Sequence, residues 1–279
     1  MQRVDINKLS FKSDEDEYCD DYFAFYEGKP FTGIAFENKE SGYRYEETFK
    51  EGQLHGKSIG FFPNGQKHKE GNYFEGLEVG EHYEWYESGQ LKEYNEYEKS
   101  SSPFITRQWN ESGILVFEIL EKEKIWRRWY KSGELLMEKQ GDKTKYYNKE
   151  NELAIEHKSY DYHGDVTWYD QALEKSYMQM AEEPIVDGLV WRWLHRKLDS
   201  DVHKYAYLLC ALIEYPSSAI QKIAMSNAIS YCLKEAVPFL KKELGNTSGK
   251  ISSDFFSKTV GEHAKAALDK IEKEVTKCP

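Results

Sequence analysis

The stretch Gly80-Glu81-His82-Tyr83-Glu84-Trp85-Tyr86-Glu87-Ser88-Gly89-Gln90-Leu91-Lys92-Glu93-Tyr94-Asn95-Glu96-Tyr97-Glu98 decides how this chain is read. Its two flanks mix aromatic and charged residues in the period-2 pattern of strands, and the Ser88-Gly89 pair supplies the reversal between them. Alternation places Tyr83 and Trp85 on one face and His82, Glu84 and Tyr86 on the other. The same pattern recurs 24 residues away in both directions. Gly28, Gly52 and Gly76 keep this step, as do Gly65, Gly89 and Gly113, and Gly56 with Gly80. Phe25, Phe49, Tyr73 and Tyr97 follow it, and so do Phe61, Trp85 and Trp109. Self-similarity at a fixed step marks a repeat, and each unit reads as one β-hairpin.

Beyond Gly113 the matching turn residues are Gly133 and Asn151, at steps of 20 and 18. Both losses relative to 24 are even, so inward-facing residues keep their face. Asn151 replaces glycine where a left-handed conformation is required. The segment Ser100-Ser101-Ser102-Pro103 stands where the second glycine pair would fall, which predicts a looser turn.

The repeat motif resembles the MORN-repeat variant family over about residues 22–156. The matching residues are Phe49-Lys50-Glu51-Gly52-Gln53-Leu54-His55-Gly56, Tyr73-Phe74-Glu75-Gly76-Leu77-Glu78-Val79-Gly80, and the turns at Gly65, Gly89, Gly113 and Gly133. Members of that family occur as antitoxin or immunity proteins of bacterial toxin systems. The resemblance therefore implies a protein-binding role against a toxin.

From about Asp165 the period changes to 3.6 and glycine becomes scarce. Helices are expected over 165–182, 187–198, 201–214, 220–233, 236–244 and 259–275. The run Ala236-Val237-Pro238-Phe239-Leu240, followed by His263-Ala264-Lys265-Ala266-Ala267-Leu268, resembles a HEAT repeat; an unclassified helical bundle is the alternative. The expected fold class is thus α+β by segregation: an N-terminal antiparallel β-hairpin repeat sheet (MORN-like), then an all-α helical (HEAT-like or bundle) domain. The expected division is an acidic lead-in at 1–21, repeats at 22–156, a linker at 157–166 and helices at 167–279.

Charge separates along the chain in the same way. Of 279 residues, 38 are basic and 49 acidic, a net charge of −11. Residues 1–100 hold 12 basic and 22 acidic residues, whereas 101–150 hold 10 and 8. An acidic surface repels nucleic acid and anionic lipid and steers a basic protein toward itself. No apolar run reaches the length of a membrane span, and no leader-like apolar segment opens the chain. Cys19, Cys210, Cys232 and Cys278 lack metal-ligand or redox spacing, so reduced thiols in a cytoplasmic protein are expected.

The sequence carries no GxSxG, HExxH, GxxxxGK[ST] or strand-linked GxGxxG pattern, and no cofactor or metal is expected. His157 and His163 flank Tyr160-Asp161-Tyr162, where linker packing is the plain reading and an acid–base site the alternative. The chain reads as a non-catalytic module that occludes a basic toxin domain, or else as a scaffold joining other proteins or the cell envelope. The candidate partner-binding residues are Glu81, Glu84, Glu87, Glu93 and Glu96 on the repeats, with Trp191 and Arg192 on the helices.

Overall fold

The computed structural model describes residues 1–13, 22–98, 102–158, 166–248 and 259–275. The chain divides into two compact units, Met1–Asn151 with Glu156–Val166, and Glu152–Ile155 with Thr167–Pro279. Cys19, Cys278, the Tyr160–His163 stretch, most of the expected linker, and Ser100 and Ser101 lie outside the described residues.

Seventeen described strands run β1 Arg3–Asp5, β2 Ser10–Ser13, β3 Tyr22–Tyr26, β4 Lys29–Pro30, β5 Gly33–Asn38, β6 Arg44–Lys50, β7 Gln53–Phe61, β8 Lys67–Phe74 and β9 Leu77–Trp85. They continue as β10 Leu91–Tyr97, β11 Ile105–Trp109, β12 Leu115–Leu120, β13 Ile125–Trp129, β14 Leu135–Gln140, β15 Lys143–Tyr147, β16 Leu153–Lys158 and β17 Val166–Trp168. Fourteen form one sheet in the order β1, then β5 to β17 consecutively; β2, β3 and β4 form a separate small sheet.

This corrects the expected fold class of α+β segregation with an array of MORN-like hairpins. The sheet is continuous and mixed. Every strand from β5 to β16 pairs on both edges, as β6 does with β5 and β7 and β8 with β7 and β9, so no repeat closes as a hairpin of its own. Open edges seek a ladder partner, and the next unit supplies it. The mixed character comes from β1, which runs parallel to β5 with Val4 opposite Ala35. Part of the expected lead-in is therefore a strand. The first repeat also departs from the pattern, because Tyr22–Tyr26 leaves the main sheet to pair with Ser10–Ser13.

Turn chemistry sets the register. Glu75 and Gly76 join β8 to β9 with φ of 52° and 82°, the two left-handed residues of a tight hairpin turn, and Glu51-Gly52 repeats this at 53° and 88°. The wider turns share a bond pair. Tyr86 N–H donates to Gln90 O (2.9 Å) and Gly89 N–H to Tyr86 O (2.8 Å). Equivalent bonds close the turns at Phe62–Gln66, Asn110–Ile114 and Tyr130–Glu134. Successive turns are also stitched together: Asn64 Nδ2 donates to Glu87 O (3.2 Å) and Tyr86 Oη to Trp109 O (2.9 Å).

A buried cluster of Val4, Leu9, Ala24, Phe31, Ala35 and Phe49 anchors the N-terminal end of this unit. The strands β7 to β10 bury little, and cross-strand aromatic and charged pairs hold them instead.

The second unit contains α1 Asp170–Met180, α2 Asp187–Ser200, α3 Val202–Ile213, α4 Ser218–Ser230, α5 Val237–Lys242 and α6 Val260–Val275. Leu173, Met180, Trp193, Leu194, Leu198, Leu208, Leu209 and Leu212 are fully buried within it. Asp201 caps α3 by accepting from Lys204 N–H at 3.0 Å. Thr259 and Glu262 form a reciprocal capping box before α6. Among the described residues no helix is long and apolar enough to cross a membrane.

Candidate functional site

Strand alternation sorts the sheet's side chains onto two faces with different chemistry. On one face Tyr83 stacks on Trp85 at 5.6 Å and tilts against Tyr94 at 5.4 Å. That face also carries a ladder of ion pairs. Glu70 meets Lys57 (2.7 Å) and Lys67 (2.5 Å). Farther along, Glu118 accepts from Arg107 (2.8 Å) and Arg127 (3.1 Å), and Arg127 continues to Glu138 (2.8 Å). Its charges are largely matched.

The opposite face is matched only in part. A cleft of about 380 Å³ opens there over β6 to β10, within the size range of small-ligand sites. Tyr45, Glu47, Tyr73, Glu78, His82, Glu84, Glu93 and Tyr97 line it. Its floor is made possible by Gly71. A Cβ at that position would stand 2.2 Å from His82 Nδ1, so only glycine lets the imidazole lie across β8. The ring is fixed between Tyr73 (5.3 Å) and Tyr97 (4.8 Å), both edge-on, and its Nε2 meets Asn72 O at 2.9 Å.

Five carboxylates line this cleft; Glu70 is paired with Lys57 and Lys67, and the other four stand in three states. Glu84 is saturated. Partial burial works to raise its pKa, but the Lys92 and Lys69 ammoniums beside it hold the carboxyl below the usual range. Glu93 is held by amides, accepting from Asn95 Nδ2 (2.6 Å) and Gln108 Nε2 (2.9 Å), while Thr106 Oγ1 donates to Asn95 Oδ1 (2.7 Å). Glu47 and Glu78 have neither a hydrogen bond nor an ion pair among the described residues. Burial pushes both carboxyls up, with the Glu37 charge adding to the effect at Glu47. Burial, then the charges of Glu78 and its acidic neighbours, pushes the Tyr73 and Tyr97 phenols up to about 12. Carboxylates thus outnumber cations between the aromatic walls, where the lining Lys69 is already engaged by Glu84. Among the described residues no group of His, Cys, Asp and Glu is arranged to hold a metal ion.

The residues singled out from sequence divide between these surfaces. Glu84 and Glu93 meet in the cleft, directly opposite each other across β9 and β10. Glu81 and Glu96 belong to the other face, where Glu81 accepts from Tyr83 Oη (2.8 Å) and Glu96 from Tyr94 Oη (3.1 Å). Glu87 sits in the exposed turn after β9. On α2, Trp191 is half-buried and Arg192 is exposed, its guanidinium 5.8 Å from the Trp168 ring. Trp193 is buried, donating to Asp170 Oδ1 at 2.9 Å. His157 stacks on Tyr146 at 5.7 Å. Burial pushes the Cys210 thiol up to about 11.

Sequence reading missed Glu47 and the cavity itself. The signal was present in the repeat columns: Tyr45, Lys69 and Glu93 are 24 apart, as are Glu47, Gly71 and Asn95. A glycine in a column of larger residues leaves a void at one repeat only, and the cleft lies over it.

No protein-family model matches the chain, and no curated protein matches it. Among solved structures, a crystal structure of TarM is 12% identical over 44% of this chain, with a TM-score of 0.17. The GtfA/B complex bound to UDP and GlcNAc is 12% identical over 47%, with a TM-score of 0.18. The matched part spans only 21% and 24% of those chains. Overlaps this slight leave fold and chemistry to be read from the chain itself.

Proposed function

We propose that the chain is a protein-binding module whose sheet cleft receives a lysine or arginine from a basic protein partner. The observation that carries this is the pair Glu47 and Glu78, two half-buried carboxylates whose side chains have no hydrogen bond or ion pair among the described residues, in a cleft walled by Tyr73, Tyr97 and His82. A cation entering there gains ion pairing in a site of reduced polarity and contact with aromatic faces. The repeat motif's likeness to antitoxin-associated repeat proteins supports a basic toxin domain as the partner, neutralised by occlusion. The acidity of residues 1–100 would steer such a domain onto the sheet.

The test is calorimetric titration of the full chain with a (Lys-Gly)4 peptide, alongside a (Glu-Gly)4 control. Binding of the lysine peptide that disappears in a Glu47→Gln/Glu78→Gln variant supports the assignment. Binding unchanged by those substitutions removes it.

A further inference from the structure

The helical unit holds a second cleft of opposite character. It measures about 240 Å³ and is lined by Trp168, Asp170, Trp193, Arg196, Lys197 and Ser200. Its internal charges are partly settled. Both Asp170 oxygens are occupied, Oδ1 by Trp193 Nε1 at 2.9 Å and Oδ2 by Lys197 Nζ at 2.6 Å. Ser200 Oγ donates to Lys197 O at 2.7 Å.

Two donors remain. The Trp168 indole N–H is shielded from solvent and has no acceptor among the described residues. Indole nitrogen can only donate, and a buried donor left without a partner is unfavourable. Arg196 lies over the same ring, its guanidinium carbon 5.2 Å from the centroid, and has no hydrogen bond or ion pair among the described residues. Arg192 approaches the ring at 5.8 Å.

We infer that this cleft binds a carboxylate, which accepts from the Trp168 indole N–H and pairs with the Arg196 guanidinium. A planar carboxylate matches the fork of guanidinium donors, and its second lone-pair set suits a single indole donor. The volume exceeds that of a carboxylate group alone, so the ligand is an organic acid or an acidic side chain. This site owes nothing to the acidic sheet cleft, and either can fail without the other.

The experiment follows the Trp168 indole N–H resonance of the 15N-labelled full chain, assigned by its loss in Trp168→Phe. Sodium acetate and an Asp-Glu-Asp peptide are titrated against sodium chloride at matched ionic strength. The expected result is a saturable downfield displacement with both carboxylates and none with chloride. Arg196→Gln, a change at an exposed position, should weaken the response at least tenfold while the other indole resonances stay in place. Tighter binding of the peptide than of acetate assigns the site to acidic side chains; equal or weaker binding assigns it to a free acid. A displacement that chloride reproduces, or one that Arg196→Gln leaves unchanged, overturns the inference.

Discussion

The His82 imidazole lies directly across the backbone of Gly71, so close that a methyl group there would stand 2.2 Å from Nδ1 and 2.7 Å from Cγ. Because Cγ is near the root of the side chain, the whole ring would have to swing away, breaking its packing on Tyr73 and Tyr97. Gly71→Ala should therefore destabilise the chain by about 2 kcal/mol, the usual scale of overpacking. Urea denaturation measures this, and a loss below about 0.5 kcal/mol would show that the ring is not held there.

Glu118 is 7% exposed and bridges Arg107 and Arg127 across three strands. Replacing it with glutamine keeps the shape but leaves two guanidiniums facing a neutral group. Hydrogen bonds to charged partners are worth about 1.5–3 kcal/mol, so Glu118→Gln should cost about 2 kcal/mol. Glu81→Gln, on the same face but bonded only to tyrosine hydroxyls, should cost less than half as much in the same denaturation series.

Burial raises the Glu47 and Glu78 carboxyls, so the folded state holds their protons more tightly than the unfolded chain does. Their stabilising contribution is full below the ordinary carboxylate pKa and is lost as pH rises through the raised folded values. Thermal melting across that window should show a decline that flattens in Glu47→Gln, with higher stability than the parent at neutral pH. A cationic guest reverses the preference, since it favours the ionised pair. Affinity for a lysine-rich ligand should therefore climb over the same pH interval, and an affinity independent of pH there would exclude these two carboxylates.

Salt should weaken partner capture mainly through the association rate, because the steering field is screened over about 8–10 Å at physiological ionic strength. Stopped-flow mixing at two salt concentrations separates the rates. A dissociation rate that carries most of the salt effect would point to contacts outside the acidic surface.

Much of the sheet was legible because its turns obey local chemistry. Glu75-Gly76 and Ser88-Gly89 announce reversals, and alternation alone separates His82 and Glu84 from Tyr83 and Trp85. Grouping Glu81, Glu84 and Glu87 as one surface ignored that same alternation: steps of three residues cross from face to face in a strand, whereas on a helix they would not. The continuous mixed sheet escaped for a different reason. Pairing of Val4 with Ala35 is non-local, and nothing in the Arg3–Asp5 sequence specifies a parallel partner. Escape of Tyr22–Tyr26 into a separate sheet likewise depends on Ser10–Ser13, which belongs to no repeat. The cleft was legible only in columns, where Gly71 interrupts Glu47 and Asn95.

Affinity capture from the native host, with two matched variants, asks which face of the sheet holds the partner. Glu47→Gln/Glu78→Gln/Glu93→Gln removes charge from the cleft, and Glu81→Gln/Glu96→Gln removes it from the opposite face. A basic protein is expected to be retained by the parent chain and by the opposite-face variant, and lost from the cleft variant. Retention by the cleft variant, or equal loss from both, would contradict it.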